Sequence, residues 1–101
     1  MNLPSIKTVV IFRKFDDGDI IAMFPEDPGT LDPCTCSSYQ QTGQHCAASI
    51  ILAQCTNPAR PAEYADLKQE LESLGYNLKI KLRFTAMMTA NRIDNLKTLT
   101  N

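Results

Sequence analysis

All four cysteines of this 101-residue chain, Cys34, Cys36, Cys46 and Cys55, lie in one stretch together with its only histidine, His45. Thiolates and imidazole are the preferred donors to zinc and a tetrahedral site needs four of them, so Cys34, Cys36, His45 and Cys46 are the candidate metal set. Their spacing argues against such a site. Cys34-x-Cys36 is one residue short of the usual zinc knuckle, and neighbours such as His45 and Cys46 point to opposite faces of a strand. Nucleophilic chemistry would need Cys46 or Cys36 within hydrogen-bond reach of His45, and a third group to orient the imidazole. Gln44 could orient it, but nothing in the sequence specifies an oxyanion hole or a substrate pocket. No catalytic residue and no cofactor are therefore expected, with zinc as the alternative.

Two polar features remain. Between the cysteines runs Ser38-Ser-Tyr-Gln-Gln-Thr-Gly-Gln-His45, from which Ser38, Tyr39, Gln44 and His45 are taken as candidate binding residues. Lys79, Lys81 and Arg83 form a basic stripe that could hold a phosphate-bearing ligand or an acidic protein, and Arg13 and Lys14 would extend it if their strands paired. The plainer reading of the stripe is a solvated sheet face whose lysines guard an edge. No phosphate-binding glycine loop, dinucleotide fingerprint, His-Glu-x-x-His or Gly-x-Ser-x-Gly element occurs. The clusters Asp16-Asp17-Asp19 and Glu26-Asp27 lack the liganding repeat of a calcium loop and read as turn residues.

The elements that must position these residues follow from periodicity. Residues 6–15 (IKTVVIFRKF) and 20–24 (IIAMF) are rich in β-branched and aromatic side chains, and Asp16-Asp17-Gly18-Asp19 between them has tight-turn chemistry, so they form a β-hairpin. Pro25, Pro28, Gly29 and Pro33 make the following segment a loop. Residues 34–40 give a short third strand, and Gly43 permits a sharp change of direction. The apolar run 47–53 suits either a buried helix or a buried strand, and its alanine content favours a short helix. Pro61 is placed as the first residue of a helix, where its missing N–H is harmless. Tyr64, Leu67, Leu71 and Leu74 give that helix one apolar stripe, and Gly75 can end it in the left-handed conformation. From residue 76 to 85, apolar and polar residues alternate without exception, as in a strand with one face buried. The tail 86–101, with Met87, Met88, Ile93, Leu96 and Leu99, is irregularly amphipathic and reads as a last helix or a frayed end.

Composition bounds the function. A chain of 11.2 kDa with 44% hydrophobic and 21% charged residues is one globular domain with a single limited core. Its net charge of −1 disfavours nucleic acid, whose binding domains carry an excess of Lys and Arg, and no aromatic residues interleave the basic stripe for base stacking. No apolar run reaches the ~18 residues of a membrane span and no leader precedes the first strand, so a cytoplasmic protein with free thiols and no membrane association is expected.

The runs TVVIFRKF, GDIIAMFP, SYQQTGQHCAA and PAEYADLKQELESLGYNL resemble a family of small uncharacterised proteins from gut anaerobes and their mobile elements. The likeness covers residues 6–83 and implies a compact α+β fold with no established activity. Its S-Y-x-x-x-G-Q-H element corresponds to Ser38, Tyr39, Gly43, Gln44 and His45. The family pattern has a helix-capping hydroxyl where this chain has Arg60, and it lacks several of these cysteines.

The fold class expected is α+β: residues 1–85 form one domain, with an antiparallel sheet of three or four strands built on the N-terminal hairpin and the 76–84 strand. One main helix packs on one face, and residues 86–101 follow as a tail. The leading functional expectation is a non-enzymatic binding or accessory module, mobile-element encoded and host-modulating, that contacts a protein partner through residues 38–45. A zinc- or thiol-dependent protein using Cys34, Cys36, His45 and Cys46 is the rival, and homo-oligomer formation through the tail is the third reading.

Overall fold

The structure, a computed structural model, describes residues 7–40 and 44–100. Gly43 and its expected change of direction lie outside the described residues. The described chain forms an α+β fold of six strands and three helices: β1 (Thr8–Lys14), β2 (Ile20–Pro28), β3 (Thr35–Gln40), β4 (Gln44–Ser49), α1 (Leu52–Cys55), β5 (Asn57–Pro58), α2 (Pro61–Ser73), β6 (Leu78–Ile80) and α3 (Ala86–Thr100). The sheet order is β4-β3-β2-β1-β5, and β6 also pairs with β1. The expected hairpin is present as β1 and β2, with Ile11 opposite Met23 and Lys14 opposite Ile20. Gly18 turns it with a positive φ that other residues rarely adopt.

The sheet is larger than the three or four strands expected, and not wholly antiparallel. β6 runs parallel to β1, Thr8 pairing with Leu78 and Val10 with Ile80. The alternating run 76–84 becomes a strand only at Leu78–Ile80, because the edge of β1 is shared. Arg13 and Lys14 already pair with Pro58 and Asn57 of β5, and Ala59 N–H donates to Phe12 O. A longer β6 would have to occupy the same hydrogen-bonding groups. Leu82 is left 69% exposed.

Residues 47–53 do not form the short helix expected from their alanine content. The run splits into β4, antiparallel to β3 throughout, and the single turn α1. Sheet pairing overrides helix propensity here because Ala48 packs beside Cys36, Met23 and Ile21 in a second small core. Pro25 and Pro28 likewise sit in β2 and not in a loop. The β2–β3 register shifts between Phe24 and Pro28, and at such a bulge a missing N–H costs no ladder bond. Gly29 follows at a close approach: a Cβ there would meet Cys36 O at 2.5 Å and Ala47 Cβ at 2.9 Å.

Alternation along the strands separates two cores. On one face Val10, Phe12, Ile20, Ala22, Phe24 and Tyr39 meet Leu67 and Leu71 of α2, each leucine fully buried. Burying each contributes about 1.5 to 3 kcal/mol before entropy is counted. Tyr64 stacks on Phe12 with centroids 4.2 Å apart, but Leu74, expected in the same stripe, is 55% exposed. The helix begins at Pro61 and stops before Gly75, which has positive φ. Arg60 N–H donates to Glu63 Oε1 at 2.9 Å, the half of a capping box that needs no acceptor in the Arg60 side chain.

The opposite face is covered by α3, which packs along β2, so there are two helices on opposite faces where one main helix was expected. Among the described side chains of α3, Met88 and Arg92, one turn apart, are buried. Arg92 is 1% exposed, donating from Nη1 to Pro25 O at 2.7 Å and from Nε to Pro33 O at 3.2 Å. Asn91 Nδ2 donates to Glu26 Oε2, and Asn95 Nδ2 to Glu26 O. The proline-rich connection presents its carbonyls because Asp32 closes it, accepting from Cys34 N–H at its side chain and from Thr35 Oγ1 at its carbonyl.

Replacing Arg92 with methionine keeps a long apolar stem but leaves two carbonyls without their charged donor. Arg92→Met is expected to lower stability by about 2 to 4 kcal/mol, measured by urea unfolding. An unchanged midpoint would show that α3 docks without the guanidinium.

Candidate functional site

The ladder places Phe12, Ala22, Tyr39 and His45 in one row across four strands, on the face covered by α2. Tyr39 is buried in that row, and its hydroxyl donates to Glu70 Oε2 of α2 at 2.5 Å. His45, next in the row on the exposed strand, meets the Tyr39 ring edge-on with centroids 4.7 Å apart. Its Nε2 lies 2.8 Å from the hydroxyl of Tyr76, which stacks on Phe24 at 5.2 Å. Four elements therefore converge on one corner: β3, β4, the end of α2 and the chain entering β6. An open groove of about 420 Å³ bordered by His45, Gly75 and Tyr76 adjoins it.

The corner is chemically quiet. The Tyr39 hydroxyl is held above the ordinary tyrosine range first by its hydrogen bond to Glu70 and then by burial. Burial raises Tyr76 as well, assisted by the charge of Asp27. Both phenols therefore stay protonated at neutral pH.

Of the four candidate binding residues, the fold brings Tyr39 and His45 into contact and separates Ser38 from them. Ser38 lies on the other face of β3, buried, and its Oγ donates to Cys46 O at 2.9 Å. Gln44 pairs with Gln40 at the start of β4. His45 is bonded to Tyr76, 31 residues away. Glu70 and Tyr76 carry no signal in the sequence, since a helix-surface carboxylate and a strand-start tyrosine are routine.

The cysteines scatter. Cys36 is fully buried, and burial pushes its thiol up to about 11 despite the opposing charge of Arg92. Cys34, Cys46 and Cys55 are exposed. Adjacent positions on β4 turn His45 and Cys46 to opposite faces. Among the described residues no three His, Cys, Asp or Glu side chains are grouped to hold a metal ion.

The basic stripe divides too. Lys79, Lys81 and Arg83 are exposed beside the N-terminal half of α3. Arg13 and Lys14 do not extend it, because β5 takes their part of the β1 edge. Arg13 donates to Thr56 Oγ1 and Ala53 O, and Lys14 pairs with Glu63 at 2.5 Å.

The hydrogen-bond register of β4 fixes which of its backbone groups face away from the sheet. Ile50 N–H donates to Cys34 O in the same register, so the hydrogen-bonded pairs of the ladder are Cys36 with Ala48, Ser38 with Cys46 and Gln40 with Gln44. The alternate residues His45, Ala47 and Ser49 therefore turn their N–H and C=O groups outward, at the end of the sheet order. All three are exposed. No charge or proline interrupts β4.

Two solution measurements follow. A chromogenic disulfide near about pH 8 should modify three thiols of the native protein quickly and Cys36 only on unfolding; rapid reaction of all four would contradict the burial of Cys36. Tyr39 and Tyr76 bind their protons more tightly folded than unfolded, so their stabilisation is present below the ordinary tyrosine pKa of ~10 and is lost as pH rises through the raised folded values. Urea midpoints should fall on that alkaline limb, and Tyr39→Phe should flatten the fall. Among the described residues no helix is long and apolar enough to cross a membrane. Comparison with protein-family models, with curated proteins and with solved structures finds no match for this chain.

Proposed function

We propose that this protein is a small non-enzymatic binding module that accepts an extended segment of a protein partner along the outer edge of β4, next to the His45–Tyr76 corner. The observation that carries this reading is the outward set of backbone groups on His45, Ala47 and Ser49, in a strand of six residues without charge or proline. Edges not used for pairing are ordinarily blunted by such residues. The opposite edge of this sheet has them: Pro58 in β5, and Lys79 and Lys81 at β6. Main-chain hydrogen bonds along an added strand supply affinity, and side chains at alternate positions supply selectivity. Here the small side chains of Ala47 and Ser49 leave room for larger ones on the partner, while His45, bonded to Tyr76 and set against Tyr39, marks one end of the register.

Ala47→Pro tests this directly. It removes one outward N–H and leaves the pairs between β3 and β4 in place. Affinity capture from the native host should recover a partner with the wild type and lose it with Ala47→Pro at an unchanged melting temperature. The captured segment should also protect the amides of His45, Ala47 and Ser49 from hydrogen exchange. A partner retained equally by the variant would overturn the strand-addition reading.

A further inference from the structure

At the far edge of the sheet from β4, an open groove of about 570 Å³ runs between β6 and the first turns of α3. Val9, Leu82 and Met87 supply apolar walls, and Lys79, Lys81 and Arg83 supply charge. Leu82 and Met87 are 69% and 68% exposed, a large apolar area to leave in water beside a half-covered Val9. Isolated exposed side chains need no explanation, but adjacent ones rimmed by charge mark an interaction surface.

The charges are unpaired. Among the described residues, Lys79, Lys81 and Arg83 make no ion pair and no side-chain hydrogen bond, whereas Lys14, Lys68, Arg13 and Arg92 all have partners. Three of the ten Lys and Arg residues of a chain with net charge −1 thus stand within five positions and, among the described residues, form no ion pair. The carboxylate that reaches this groove, Glu26, is turned to Asn91 Nδ2 at 2.7 Å.

We infer that this groove is a second docking surface, for an acidic peptide segment of a partner protein that carries aliphatic side chains. Charge complementarity selects an anionic occupant, and the apolar walls require that it be amphipathic. The openness of the groove selects a peptide over a small molecule, since small-ligand sites enclose most of the ligand's surface. This surface is separate from the β4 edge, so it stands or falls independently of that reading.

The test uses the full chain and a short fluorescein-labelled peptide in which leucines are spaced among glutamates and aspartates, read by anisotropy. The peptide should bind, and binding should weaken as salt is raised. The Lys79→Glu, Lys81→Glu, Arg83→Glu variant should bind at least about tenfold more weakly, as expected when attraction becomes repulsion across an interface. Leu82→Ser with Met87→Ser should weaken binding several-fold, and Ala47→Pro should leave it unchanged. The single variant Lys81→Gln, with its fold checked by circular dichroism, should also weaken binding and serves if the triple variant does not fold. Absence of binding, or equal binding by the charge variants, would overturn the proposal. Equal binding of a leucine-free acidic peptide would reduce the site to diffuse electrostatics and overturn it as stated. Binding to phosphatidylglycerol vesicles without binding to the peptide would assign the surface to a membrane instead.

Discussion

The guanidinium of Arg92 is the charge on which the arrangement of this fold depends. A cation buried to 1% exposure has lost its hydration and must recover it from the protein. Its acceptors are two backbone carbonyls, those of Pro25 and Pro33, and not a carboxylate. Carbonyls of this kind are seldom free inside a sheet. They are free here because Pro25 lies beyond the last β1–β2 pair, Ile11 with Met23, and within the β2–β3 register shift after Phe24, and the closed turn around Asp32 holds Pro33 in place. The prolines, the bulge and the arginine are thus parts of one solution, which lets a helix from the end of the chain cover the second face of the sheet.

A second constraint acts through β1, whose outer edge is divided between β5 and β6. Because Arg13 and Lys14 pair with β5, β6 stops after Ile80, and the chain turns toward α3 with Leu82, Arg83 and Met87 outside the core. The same division binds Arg13 and Lys14 to Thr56 and Glu63, leaving the cations that follow β6 without ion-pair partners among the described residues. The two ends of the sheet consequently differ in chemistry. One ends in the uncharged β4, and the other in a cationic border with apolar walls.

The elements legible in the sequence were those specified by short-range rules. The hairpin around Gly18, the start of α2 at Pro61, its end at Gly75 and the burial of Leu67 and Leu71 follow from turn chemistry, fixed backbone angles and helical period. Residues 47–53 were not legible, because an alanine-rich apolar run has the propensity of a helix and becomes a strand only when β3 supplies hydrogen bonds. The stripe of α3 was hidden for a different reason: its central buried position is an arginine, so the hydrophobic period is broken where packing is tightest. In the candidate site, opposite orientations of His45 and Cys46 followed from strand alternation, whereas the partners Glu70 and Tyr76 are brought in by the docking of α2.

The sequence by itself determined the α+β class, the first hairpin, the main helix with its limits, and a net charge of −1, since each depends on neighbours within a few positions or on composition. Only the tertiary structure decided that β4 ends the described sheet, that β6 is parallel and cut short, that Arg92 is a core residue, and that Tyr39 and His45 meet Glu70 and Tyr76. Each of these depends on which strand occupies which edge and which carbonyl remains unpaired. That competition is between segments tens of residues apart, and no local pattern records its outcome.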